Sequence, residues 1–94
     1  MKVITICGSL KFKDEMLLIA EKLSLEGNCV LTPIFPVSNE KEFTSEQLNN
    51  FKDEHLKRIA LAYAIFVVNK NNYIGDSTLK EINYAKSLKK IFYI

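Results

Sequence analysis

The segment Gly75-Asp76-Ser77-Thr78-Leu79-Lys80-Glu81 sets two carboxylates around a glycine and two hydroxyls. A carboxylate at the start of a helix, facing a cleft, can attack a sugar carbon or stabilise an oxocarbenium ion. The same residues fit a plainer use. Thr78 and Glu81 match the Thr-x-x-Glu capping box, and Asp76 would then only favour the helix N-terminus. Gly8-Ser9 is the second candidate: backbone N–H groups in a strand-to-helix turn can hold an anion, and the Ser9 hydroxyl can donate to it. A simple turn needs the same residues. The chain has no G-x-G-x-x-G or Walker pattern, which disfavours dinucleotide and P-loop chemistry. His55 is the third. An imidazole, with a reference pKa of about 6.5, suits proton transfer, but a lone histidine on an apolar stripe also serves as a core-edge residue. Tyr63 and Tyr73 bracket an apolar run and can stack on a base or simply pack. Asp53-Glu54, Asn49-Asn50 and Lys70-Asn71-Asn72 read as solvated polar residues.

The elements that must position these groups are legible in the pattern. Val3 to Cys7 is a short β-branched run, the mark of a strand buried on both faces. Lys13 to Glu26 has its apolar residues on one helical face, and Gly27-Asn28 stops it. Cys29-Val30-Leu31-Thr32 is a second strand ended by Pro33. From Ile34 to Phe43 no period holds, so this is a loop. Thr44 and Gln47 form a capping box that opens a helix running to about Ala62. Ala64 to Asn69 is a third strand, and Lys70 to Asp76 a polar loop. A third helix starts at Ser77-Thr78, with Glu81 on its first turn, and runs to about Leu88. Ile91 to Ile94 is a fourth strand.

This β-α-β-α-β-α-β alternation predicts right-handed crossovers onto a parallel sheet: a small three-layer, Rossmann-like or flavodoxin-like α/β domain spanning residues 1–94. The expected strand order is 2-1-3-4, which reverses direction between strands 1 and 3. Ligands in such folds bind at that switch point, outside the carboxyl ends of the strands. Three loops meet there: Gly8-Ser9-Leu10, Pro33 to Phe43, and Asn69 to Thr78. The candidate substrate contacts are therefore Gly8, Ser9, Asn69, Gly75, Asp76 and Ser77.

Composition narrows the partners. Thirteen basic residues against eleven acidic ones give a net charge of +2, too even for nucleic acid. Twelve of the thirteen are lysine, with Arg58 the sole arginine, so the forks used to read bases and phosphates are scarce. No apolar run approaches the ~18 residues of a membrane span, and no signal-peptide pattern opens the chain. Cys7 and Cys29 both lie in apolar runs and read as reduced core cysteines of a cytoplasmic protein. Two cysteines and one histidine cannot build a structural zinc site without carboxylates. No metal or organic cofactor is expected. A core this small favours a homodimer or larger assembly.

Three segments together resemble the nucleoside 2-deoxyribosyltransferase-like superfamily, which includes the 2′-deoxynucleoside 5′-phosphate N-hydrolases. They are Ile4-Thr5-Ile6-Cys7-Gly8-Ser9, then Ala62-Tyr63-Ala64-Ile65-Phe66-Val67-Val68-Asn69, then Gly75-Asp76-Ser77-Thr78 through Glu81-Ile82-Asn83-Tyr84-Ala85-Lys86. The resemblance implies N-glycosidic bond cleavage or transfer on a nucleoside or nucleotide, with Glu81 as the nucleophile and no cofactor. It places Gly8, Ser9 and Ser77 against sugar or phosphate, and His55 is then available to protonate the leaving base. The alternative is a non-catalytic nucleotide-binding module of the same fold. The family has a tyrosine where Thr5 stands and an aspartate where His55 stands, and Tyr63 replaces part of an Ala-Asp pair. Its members usually continue past the fourth strand.

Overall fold

The computed structural model describes residues 1–94, except the side chain of Glu40. Four strands alternate with three helices: β1 (Val3–Cys7), α1 (Lys13–Leu25), β2 (Cys29–Leu31), α2 (Ser45–Leu61), β3 (Ala64–Val67), α3 (Asp76–Ser87) and β4 (Ile91–Tyr93). Short 3-10 turns at Leu10–Phe12 and Glu40–Glu42 complete the chain. All strand pairs are parallel, and the order is β2-β1-β3-β4. The expected α/β class and strand order are those observed. No helix among the described residues is long and apolar enough to cross a membrane.

Strand alternation divides the core into two clusters. On one face of the sheet, Ile6 of β1 and Val68 just beyond β3 pack with Phe12 and with Met16 of α1. On the other, Cys7, Ile65 and Val67 pack with Ile59 of α2 and with Ile82 and Ala85 of α3. Burying one such Ile side chain stabilises by about 1.5–3 kcal/mol. Cys7 therefore faces α2 and α3, and it does so at the carboxyl end of β1. Cys29 departs from the expected burial: it opens the edge strand β2 and is exposed. An edge strand's first residue has only one neighbouring strand to cover it. Both thiols are free.

Local chemistry explains most boundaries. Thr44 and Gln47 form the expected capping box on α2, with the Gln47 N–H donating to Thr44 Oγ1 at 3.1 Å and the Thr44 N–H donating to Gln47 Oε1 at 2.9 Å. Gly27 ends α1 with a φ of 94°, a conformation costly for any residue with a Cβ. The start of α3 departs from expectation. Gly75, not Thr78, is its N-cap, and the helix begins at Asp76. Thr78 is instead buried, its β-branched side chain spent on packing. Gly75 has no side chain with which to cap, so the first turn is supported by Asp76 at the positive end of the helix dipole. The Thr78–Glu81 capping box does not form. Glu81 lies on the second turn, its carboxylate free for other work.

Candidate active site

The sheet's carboxyl end opens into a cavity of about 470 Å³. Its lining includes Gly8, Ser9, Gly75, Asp76, Ser77, His55 and Glu81. Of the eight site residues expected from sequence, only Asn69 is outside it. Asn69 is exposed two residues beyond β3, where the chain has already turned toward solvent. Tyr73 lines the cavity, but Tyr63 does not. The Tyr63 N–H donates to Val3 O at 2.8 Å, which fixes Tyr63 at the amino end of β3, far from the opening.

Gly8 is required by close approach. A Cβ there would meet Val68 Cβ at 3.2 Å and Val68 O at 3.4 Å. With glycine, the turn after β1 lies flat on the end of β3. The strand does not pass straight into a helix, as expected. Ser9 instead caps the intervening 3-10 turn, accepting from the Lys11 N–H at 3.4 Å. The N-terminus of α1 is therefore displaced from the cavity by one turn, and Gly8 and Ser9 themselves form the wall.

Helical spacing on α2 sends Leu48, Phe51, Lys52 and His55 into the cavity together, since residues three and four apart share a face. Lys52 was missed in the sequence, although it lies one position from Phe51 and three from His55 on that stripe. Two aromatic pairs shape the walls. Phe43 and Phe51 meet edge to face at 5.3 Å between centroids, and Phe12 and Tyr73 do so at 5.9 Å. The Lys11 ammonium lies 3.3 Å from the Tyr73 ring centroid. Flat aromatic walls and a few polar groups suit a heteroaromatic ligand.

Glu81 and His55 form the floor. His55 Nε2 is 3.4 Å from Glu81 Oε1, and their side chains are 6% and 19% exposed. Neither His55 nitrogen nor Glu81 Oε1 meets a hydrogen-bond partner among the described residues. Cys7 lies behind them, and burial, then the Glu81 charge beside it, pushes its thiol far above the ordinary range. Thr5 is fully buried, and its hydroxyl donates to the Arg58 carbonyl at 2.8 Å, tying β1 to α2.

No protein-family model matches the sequence, and no curated protein does. Among solved structures, the chain is similar to a 2-desoxiribosyltransferase from Leishmania mexicana, with a TM-score of 0.70 at 17% sequence identity. The likeness covers 98% of this chain and 62% of that one, so this chain spans less than two thirds of its length. The chain has the nucleoside 2-deoxyribosyltransferase-like fold.

Proposed function

We propose that the protein cleaves or transfers the N-glycosidic bond of a nucleoside or nucleotide. The observation that carries this reading is the Glu81 carboxylate on the floor of an aromatic-walled cavity at the switch point. In the first step Glu81 attacks the anomeric carbon as the C–N bond breaks, leaving a glycosyl ester on Glu81 and a free base. His55 supplies the proton the departing base takes up. In the second step water, or another base, attacks the same carbon, passes its proton to His55 and frees the carboxylate. Gly8, Ser9 and Ser77 hold sugar or phosphate at the wall, with Gly75 and Asp76 beside them. Phe43, Phe51 and Tyr73 offer faces for the base.

The pairing of two free thiols, one exposed, supports a reducing, cytoplasmic setting. Assembly into a homo-oligomer is supported by β4, an edge strand on which Ile91, Phe92 and Tyr93 are 40%, 38% and 42% exposed.

The test is incubation with deoxynucleosides and deoxynucleoside 5′-monophosphates, with free base followed by chromatography. Wild type should release base, and Glu81→Gln should fold and release none. If both are silent while a nucleotide raises the melting temperature of each, the chain is a non-catalytic binding module. Base release unchanged in Glu81→Gln removes the mechanism.

A further inference from the structure

We propose that Cys7, His55 and Glu81 form a binding site for a thiophilic divalent cation of the Zn²⁺ class. One ligand atom from each residue lies within 4.8 Å of the other two. Sulfur, imidazole nitrogen and carboxylate oxygen are the donors zinc takes, at bond lengths of about 2.0–2.3 Å. A tetrahedral ion with such bonds holds its donors about 3.3–3.6 Å apart. The His55–Glu81 pair already stands at 3.4 Å. The remaining adjustment is on the order of 1 Å, which rotation of the long, partly exposed Glu81 side chain supplies.

A second observation points to a ligand. His55 is 5% exposed, yet neither ring nitrogen makes a hydrogen bond among the described residues, nor does Glu81 Oε1, which faces Nε2 at 3.4 Å. Buried polar atoms of this kind are costly unless satisfied, and a cation satisfies one His55 nitrogen and Glu81 Oε1 at once. Topology makes the site: β1 brings Cys7 to the face where α2 and α3 bring His55 and Glu81. The alternative use of the cluster, Cys7 as a nucleophile activated by His55, fails on geometry. Cys7 is fully buried and does not line the cavity, and His55 Nε2 faces Glu81. The ion would enter past Glu81, displace the thiol proton to solvent, and keep its fourth position toward the cavity.

Binding does not rest on the glycosyl-transfer reading, but the two meet at one carboxylate. A cation on Glu81 would compete with attack on sugar, so Zn²⁺ would inhibit whatever that carboxylate does.

Co²⁺ serves as the spectroscopic probe on the chelator-treated protein. The expected result is one equivalent bound per chain, with tetrahedral visible bands and a thiolate-to-cobalt charge-transfer band. Zn²⁺ should bleach both. The charge-transfer band should vanish in Cys7→Ala and persist in Cys29→Ser. His55→Gln and Glu81→Gln, which keep side-chain bulk, should each weaken Co²⁺ at least about tenfold. These variants decide the matter even where Cys7→Ala does not fold. A spectrum without a thiolate band, a band lost in Cys29→Ser instead, or affinity unchanged in both Gln variants would overturn the site. None of these readouts depends on base release, so failure of the metal site and failure of the glycosidase are told apart.

Discussion

His55 Nε2 stands 3.4 Å from Glu81 Oε1, joining the third turn of α2 to the second turn of α3 beneath the cavity. If His55 handles the proton of the leaving base, His55→Gln should lower base release by about 10²–10⁴-fold. Far-ultraviolet circular dichroism should remain that of wild type. Initial rates within a factor of two of wild type would exclude His55 from the chemistry.

Lys52 is the exposed cation on the cavity lining that lies on the same helical stripe as His55. Lys52→Ala should weaken a deoxynucleoside 5′-monophosphate about fivefold, as expected for ~1 kcal/mol from an exposed charge pair. The corresponding nucleoside should bind equally to both proteins in calorimetry. Equal weakening of both ligands would place Lys52 against the base or sugar.

Tyr73 is held by Phe12 and Lys11 and turned to the cavity. Stacking on a base contributes about 1–3 kcal/mol, so Tyr73→Ala should weaken nucleoside and nucleotide alike. Fluorescence titration with either ligand checks this.

Two glycines line the cavity with opposite tolerance. A methyl group on Gly8 would press on Val68 Cβ at 3.2 Å and on the Val68 carbonyl at 3.4 Å, atoms of or next to the backbone. Gly8→Ala should cost about 1–3 kcal/mol. At Gly75 the nearest atom is the Tyr73 hydroxyl at 3.3 Å, the far end of a side chain that can move. Gly75→Ala should stay much closer to wild type. Urea midpoints for the two variants make the comparison.

The thiols should differ sharply. Exposed Cys29 should be alkylated in the native protein, and Cys7 only after unfolding, giving one adduct and then two by mass spectrometry. Because burial holds the Cys7 thiol protonated when folded, the unfolded chain alone ionises as pH passes its ordinary value of 9.0. The folded state should therefore lose stability progressively above that pH, and Cys7→Ala should show a shallower decline.

Local signals carried most of the fold. Runs of β-branched residues marked β1 and β3, and Thr44 with Gln47 marked the start of α2 because that box forms through neighbours alone. Thr78 and Glu81 carried the same signal and did not form it. Burial of Thr78 against the core outweighed the cap, a tertiary effect invisible in a four-residue pattern. Tyr63 and Tyr73 looked equivalent because both flank one strand, but the flanks of a strand lie at opposite ends of the sheet. Lys52 was available from its spacing to His55. Cys7 was not, since its meeting with His55 and Glu81 requires knowing which helices cover that face of β1.

Covalent capture of sugar by Glu81 is directly observable. Wild type should be mixed with a deoxynucleotide or deoxynucleoside that releases base, acid-quenched within the first turnover, digested and examined by mass spectrometry. One deoxyribosyl group, with or without its phosphate, should be found on the peptide carrying Glu81, and none in Glu81→Gln. Base release at full rate from Glu81→Gln, or a sugar adduct on another residue, would contradict covalent capture by Glu81.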